Sequence, residues 1–186
     1  MTTQALEYTE SNKYPLSIRI LHWAMALTIL GLIASGYYMA DLPDDAPNKY
    51  DLYPLHKSFG VTVIILFVVR LIIRLKATIP DLPSQLAAWE VKASHAAHLA
   101  LYILMLAVPI SGYIMSGSYE FSSGIDFFGA KLPNLVPKDK ELSGLFHTIH
   151  SYLPYVLLGI VVVHVAGALK HRYMDKEGSD VINRMI

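Results

Sequence analysis

The stretch "HTIHSYLPYVLLGIVVVHVAGALKHR", at residues 147–172, decides the fold class. It contains about the 20 apolar residues that a membrane-spanning helix needs, yet it also carries four histidines. Polar rings inside a membrane helix face the bundle interior and tend to be functional. The stretch therefore predicts a membrane helix with functional side chains. The four histidines are His147, His150, His164 and His171.

Three further apolar runs resemble it in length. Of the 186 residues 54% are hydrophobic and only 16% are charged. The first run starts too late, and lacks a clear small-residue cleavage site, for a signal peptide. We expect an all-α, integral membrane four-helix bundle of up-down topology that forms one domain over residues 1–186. The predicted spans are about 17–39, 55–75, 95–116 and 148–169.

The connections between these runs set the orientation. We interpret residues 1–16 as a polar tail and 117–146 as the longest loop, and no internal repeat stands out. With both termini on one side, that side holds ten of the 15 Lys and Arg residues and the other side holds five. Because Lys and Arg are retained on the cytoplasmic side, both termini are predicted to be cytoplasmic, as for a bacterial inner-membrane protein.

Composition excludes several functions. The 15 basic and 15 acidic residues give no net charge, and no nucleic-acid-binding motif is present, so nucleic acid is not an expected partner. The chain has no cysteine, which removes disulfides, iron–sulfur clusters, zinc–thiolate sites and covalent haem attachment. The eight histidines remain as the nitrogen ligands.

The depth of the histidines predicts two stacked sites. His22 and His164 each lie about five residues, or roughly 8 Å, from the cytoplasmic ends of their helices. His56 and His150 each lie near the outer start of theirs. His150 and His164 are 14 residues apart, which puts them on much the same helix face with a rise of about 21 Å. His98 lies at a depth close to that of His22 and competes with it as the partner of His164.

Two axial histidines from facing helices suit a haem in a bundle core, whereas zinc would need a third or fourth ligand. Gly60 and Gly167 would let a large ring approach the backbone. Cations at the two rims could pair with haem propionates, because an Arg fork matches a carboxylate. His171 lies about 10 Å beyond His164 and is a candidate for a quinone headgroup. The rim cations are Arg19, Arg70 and Arg74 on the cytoplasmic side and Lys57 on the outer side.

At these residues the chain resembles the bacterial cytochrome b561 family, which is similar to the cytochrome b subunits of nickel–iron hydrogenase and formate dehydrogenase. The resemblance implies two non-covalent, bis-histidine haems b, with His22 paired to His164 and His56 paired to His150. It also implies recurring histidines at His98 and His171. It rests on the segments "SIRILHWAMAL", "LHKSFGVTVIILFVVRLIIRL", "HLALYILMLAVPISGYIMS" and "HSYLPYVLLGIVVVHVAGALKHRYMDKEGSDVINRM".

Three functions follow as expectations. The first is an inner-membrane oxidoreductase that passes electrons from an outside donor, such as superoxide, to membrane ubiquinone. Lys57 and the loop lysines would attract an anion there, although no catalytic residue is identified. The second is an anchoring subunit that exchanges electrons with a partner dehydrogenase, hydrogenase or reductase, with the 117–146 loop as its docking surface. The third is a metal-ion carrier, which would hold no haem.

Overall fold

Four long helices dominate the computed structural model, which describes residues 13–47, 49–175 and 178–186. Each helix is long and apolar enough to cross a membrane, with a mean hydropathy between 1.8 and 2.3 in its most apolar window. The prediction of a four-helix membrane bundle is confirmed. Residues 1–12 of the predicted tail, and Lys176 among the counted cations, lie outside the described residues. The helices are α1 (Leu16–Asp41), α2 (Tyr53–Lys76), α3 (Ala88–Ser118) and α4 (Lys140–Tyr173).

Helices α3 and α4 begin seven or eight residues before their predicted starts at 95 and 148, because polar side chains cap them. The Oδ1 atom of Asp139 accepts hydrogen bonds from the backbone N–H groups of Glu141 (2.8 Å) and Leu142 (3.0 Å). At the start of α3, Glu90 Oε2 accepts from the backbone N–H of Ala87 at 2.9 Å. Satisfied N-terminal donors let a helix continue beyond its apolar run. Hydropathy alone therefore underestimates both helices.

The bundle packs in chain order. Helix α1 packs on α2, α2 packs on α3, and α3 makes its most extensive contact with α4. The central apolar cluster consists of Met25, Val63, Phe67 and Met105. Elsewhere the helices expose their apolar side chains, since only 6% to 17% of each hydrophobic window is buried. Apolar surface on all sides is the pattern of a helix that faces lipid.

A short β-hairpin, which the sequence analysis treated only as loop, follows α3. Strand β1 (Ile125–Phe127) pairs antiparallel with β2 (Ala130–Leu132). The two-residue turn between them has positive φ at both Phe128 (47°) and Gly129 (88°), as a type I′ turn requires. Because each strand has only three residues, hydropathy could not reveal them.

Buried Ser58 of α2 fixes this hairpin to the bundle. Its Oγ accepts a hydrogen bond from the backbone N–H of Phe128 at 2.9 Å. The rings of Phe59 and Phe128 meet edge to face, with their centroids 5.3 Å apart. The hairpin is thus held at the beginning of α2, close in sequence to His56.

The C-terminal segment folds back on the opposite end of the bundle. The indole Nε1 of Trp23 donates to the carbonyl of Met185 at 2.8 Å, and the backbone N–H of Tyr14 donates to that of Arg184 at 3.0 Å. The Arg184 guanidinium also donates to the Asp81 carbonyl in the connection between α2 and α3. The described parts of both termini therefore lie at one end of the bundle, which we call the termini end. The end that carries the hairpin is the hairpin end.

Candidate functional site

The histidines of the four helices form two layers inside the bundle. At the hairpin end, His56 of α2 faces His150 of α4, with the ring centroids 6.2 Å apart. At the termini end, the centroids of His22 and His164 are 6.3 Å apart. His98 lies in the same layer, with its centroid 5.3 Å from that of His164. The structure thus brings together the four candidate ligands, two in each layer.

These separations can be compared with what a metal ion between two opposed imidazoles demands. With each metal–nitrogen bond at about 2 Å, the two ring centroids are roughly 6.3 Å apart. The pair at the hairpin end (6.2 Å) and the pair of His22 with His164 (6.3 Å) both fit this spacing. The ring centroid of His98 lies 5.3 Å from that of His164. This is 1.0 Å closer than the 6.3 Å between His22 and His164. The spacing therefore favours His22 over His98 as the partner of His164.

Hydrogen bonds at the hairpin end leave the metal-binding nitrogens free. The Nδ1 atom of His150 lies 3.0 Å from the Val108 carbonyl, which can only accept, so Nδ1 carries the proton. Ser111 Oγ lies 3.1 Å from the same nitrogen. On the other side, Ser35 Oγ lies 3.1 Å from Nδ1 of His56. An imidazole protonated on Nδ1 offers the lone pair of Nε2 to a metal, so this donor set fits haem iron.

Gly36 and Gly112 leave space for the rings of His56 and His150, because neither glycine has a side chain. A Cβ added at Gly36 would lie 3.3 Å from Cε1 of His56. A Cβ at Gly112 would lie only 2.8 Å from Cε1 of His150. By contrast, a Cβ at Gly60 or Gly167, where the sequence analysis expected close approach, would meet no atom within 4 Å.

Neither the two serines nor the two glycines are among the site residues predicted from the sequence. A signal was present: "SGYYM" at 35–39 in α1 recurs as "SGYIM" at 111–115 in α3. The chain was expected to contain no internal repeat, and this expectation is wrong for these five-residue segments. A search for repeated pentapeptides at matching helix depths would have found it.

Arginine dominates the surroundings of the histidines at the termini end. Arg70 Nη2 lies 3.2 Å from Nδ1 of His22, and since a guanidinium only donates, this nitrogen accepts. His22 then carries its proton on Nε2, so metal binding through that atom requires Arg70 to release Nδ1. The Nε atoms of Arg70 and Arg19 are buried without a hydrogen-bond partner among the described residues. The unpartnered donor of Arg70, beside His22, suits a carboxylate of a haem.

His171 lies farther out, in an ion-pair cluster at the termini end. Its Nδ1 is 2.6 Å from Asp175 Oδ2, and Lys170 Nζ bridges Asp175 (2.8 Å) and Glu90 (2.7 Å). Hydrogen bonds from Lys170 and then His171 hold the pKa of Asp175 below its ordinary value. Because the Lys170 ammonium already pairs with both carboxylates, the cluster is better described as ion pairs than as a cation site. Half-buried Arg74 lies at the same end of the bundle.

Lys57, predicted as a free cation at the outer rim, is engaged by the hairpin. Its Nζ lies 3.6 Å from Asp126 Oδ2, while Lys131 Nζ lies 2.6 Å from Asp126 Oδ1. Hydrogen bonding and charge from Lys131, followed by the charge of Lys57, lower the pKa of Asp126. One carboxylate therefore pairs with two lysines, Lys57 and Lys131, and offsets part of the charge that was expected to attract an anion. His95 and His147 are both exposed.

Comparisons with known proteins place the chain among bacterial cytochromes. Residues 13–186 match the family model described as prokaryotic cytochrome b561. The chain is 30% identical over 176 residues to cytochrome b561 homolog 2 of Escherichia coli (strain K12), covering 94% of this chain and 91% of that protein. It is 28% identical to cytochrome b561 homolog 1 of the same organism, covering 90% and 94%. It is 24% identical to the probable superoxide oxidase CybB of Yersinia pestis, covering 86% and 88%.

Proposed function

The chain belongs to the prokaryotic cytochrome b561 family, and we propose that each of its two histidine layers holds one haem b. Membership makes it a multi-pass inner-membrane cytochrome that binds haem b and transfers electrons. The observation that carries the proposal is the pair of 6.2 Å and 6.3 Å imidazole separations at opposite ends of one bundle. When bound, haem b supplies a one-electron iron couple.

The ligands in this proposal are His56 with His150 and His22 with His164. The 14-residue spacing on α4 supports it, because one helix then supplies a ligand to each layer. His98 keeps a supporting role at the termini end, where it packs against His164. Metal binding through Nε2 is prepared at the hairpin end by the hydrogen bonds to both Nδ1 atoms.

Arg70 and Arg74 would hold the propionates of the haem at the termini end, aided by Arg19. The buried, unpartnered Nε atoms of Arg70 and Arg19 support this role. A bidentate guanidinium–carboxylate pair would satisfy them and would draw Arg70 away from Nδ1 of His22. At the hairpin end, Lys57 directly follows His56 in the sequence, and Asp126 already engages it.

The proposed path runs from a donor at the hairpin end to ubiquinone at the termini end, with both termini in the cytoplasm. The excess of Lys and Arg at the termini end supports this orientation. His171 and Arg74 would contact the quinone headgroup near the membrane surface. Superoxide is the proposed donor, on the strength of the relative described as a probable superoxide oxidase. Lys57 and Lys131 would attract it only locally, because Asp126 offsets part of their charge.

Absorbance spectroscopy of the purified chain tests the haem proposal. We expect two haems per chain, one lost in His56→Ala or His150→Ala and the other lost in His22→Ala or His164→Ala. Exposed His147→Ala is the matched control and should keep both. Loss of the haem at the termini end in His98→Ala, with retention in His22→Ala, would reverse the assignment. Rapid mixing of the oxidised protein with superoxide tests the donor, and haem reduction no faster than in the same mixture without superoxide would eliminate superoxide.

A second candidate is an anchoring subunit that exchanges electrons with a partner protein. The exposed apolar side chains of the connection between α3 and α4, Phe121 and Leu135, favour it, at 76% and 75% exposed. Such side chains outside a helical span suit a protein interface. Purification in mild detergent distinguishes the two candidates. A stoichiometric partner would support anchoring, whereas this chain alone with quinone reductase activity would contradict it.

A further inference from the structure

The repeated Ser-Gly-Tyr-x-Met segments contact the two histidines of one layer in the same way. In α1, Ser35 bonds to His56 of α2 and Gly36 lies under that ring. In α3, Ser111 bonds to His150 of α4 and Gly112 lies under that ring. Each helix that supplies no ligand to the hairpin-end layer thus presents the same dipeptide to the ligand of the next helix.

Each serine hydroxyl has already committed its only proton. Ser35 Oγ donates to the Leu32 carbonyl at 3.1 Å, three residues earlier in its own helix. Ser111 Oγ donates to the Val108 carbonyl at 2.6 Å, again three residues earlier. A hydroxyl has one donor and two acceptor lone pairs, so each serine can only accept from the histidine. Both imidazoles are therefore held with the proton on Nδ1 and the lone pair on Nε2.

The termini-end layer lacks this arrangement. Among the described residues, no serine or threonine hydroxyl bonds to His22, His98 or His164, and Nδ1 of His22 instead faces the donor Arg70. An acceptor at Nδ1 increases electron donation from Nε2 to a metal, whereas a donor there does the opposite. Once Arg70 has released Nδ1 of His22 for metal binding, that nitrogen still has no serine or threonine acceptor among the described residues, so the two layers present imidazoles of different basicity.

We propose that Ser35 and Ser111 are positioning residues that act through His56 and His150, fix their tautomers and lower the redox potential of the hairpin-end haem. This rests on the proposed function, because it requires these histidines to be the ligands. A more electron-donating imidazole favours the ferric over the ferrous iron. The serines would thereby set the hairpin-end haem below the potential it would have with unsupported ligands.

The test compares Ser35→Ala, Ser111→Ala and the double variant with the intact chain. Ser94→Ala is the matched control, since Ser94 Oγ also donates to a carbonyl three residues earlier, that of Val91 at 2.9 Å. Ser35→Thr keeps the hydroxyl and should restore the wild-type values. The readouts are haem content, a spectroscopic redox titration and the electron paramagnetic resonance spectrum of the ferric protein.

We expect one of the two midpoint potentials to rise, more in Ser35→Ala than in Ser111→Ala because the Val108 carbonyl still accepts from Nδ1 of His150, and farthest in the double variant, while the other potential stays in place. The same haem should change its ferric resonance signal and bind about 10- to 100-fold more weakly, the usual effect of losing such a partner. Two retained haems with unmoved potentials would overturn the inference and leave the proposed function intact. Equal movement of both potentials would also overturn it, by revealing a general structural effect.

Failure of the proposed function gives a different result. A wild-type chain without two haems, or two haems that survive His56→Ala and His150→Ala, would remove the basis of both proposals. Ser111 is only 2% exposed, so its alanine variant could reduce the yield of folded protein. Ser35 is less deeply buried, and its Ala and Thr variants alone suffice to decide the question.

Discussion

Replacing Gly112 by Ala tests the geometry of the hairpin-end layer most directly. The added Cβ would lie 2.8 Å from Cε1, 3.1 Å from Nδ1 and 3.2 Å from Nε2 of His150, so it would press on the ring as a whole. Ordinary van der Waals contact needs more than 3.4 Å. The 2.8 Å contact is 0.6 Å shorter than this limit, so the ring must move away by at least 0.6 Å. The bonds of Nδ1 to Val108 and Ser111, now 3.0 and 3.1 Å, would then stretch past useful length.

The expected energies follow from these contacts. Overpacking a tight site destabilises a protein by about 1–3 kcal/mol. Replacing Gly by Ala inside a helix stabilises it by up to about 1 kcal/mol. Gly112→Ala should therefore destabilise the apoprotein by about 0–2 kcal/mol. The larger effect should be on the hairpin-end haem, whose affinity should fall by roughly 10- to 100-fold once His150 leaves its position.

Alanine substitutions at two further glycines provide a weaker contact and a control. Gly36→Ala meets one ring atom, Cε1 of His56, at 3.3 Å and should cost less. Gly31→Ala on the same helix meets nothing within 4 Å and serves as the control. Haem content and thermal unfolding of the three variants provide the measurement. The reasoning fails if Gly112→Ala keeps both haems at wild-type affinity, or if Gly31→Ala loses one equally.

Three other outcomes follow from contacts of the described residues. Ser58→Ala leaves the N–H of Phe128 unpaired, at a cost of about 1–3 kcal/mol, so proteolysis within residues 119–139 should be faster. Asp126→Asn should remove about 0.2–1 kcal/mol of ion-pair stability. Because the pKa of Asp126 is lowered from 3.8, this contribution is complete above about pH 4 and is lost as the pH falls through the folded pKa; the two proteins should melt alike in strong acid. Arg70→Gln should weaken only the termini-end haem by about 10- to 100-fold, and equal loss of both haems would contradict its role.

Hydropathy and histidine spacing were sufficient to predict the bundle. The four spans exceed the length of a membrane helix, and this signal does not depend on tertiary contacts. The pairing of His56 with His150 followed from depth, because α2 and α4 both begin at the hairpin end and each histidine lies near the predicted start of its span. The choice between His22 and His98 could not follow from depth, since both lie at one level, and only the ring separations distinguish them.

Other features depended on contacts between residues distant in the chain. The hairpin has three-residue strands and is held by Ser58, which precedes it by about 70 positions. The engagement of Lys57 by Asp126 required that hairpin to be placed first. Ser35 and Ser111 are individually ordinary helix residues. Their role could be inferred only from the hydrogen bond that each hydroxyl makes with a histidine ring.

The apolar cluster between the two histidine layers has an electrical consequence. Val63 and Leu157, both 2% exposed, lie seven residues from a histidine of the hairpin-end layer, about halfway to the other layer. A separation of about 21 Å covers roughly two-thirds of a hydrocarbon core about 30 Å thick. At about 2.3 kcal/mol per charge for 100 mV, an electron exchanged between the two proposed haems would gain or lose about 1.6 kcal/mol. The membrane voltage alone should thus shift the ratio of electron occupancy between the two layers by roughly fifteen-fold. The distribution of electrons within the bundle would therefore depend on the membrane potential of the cell.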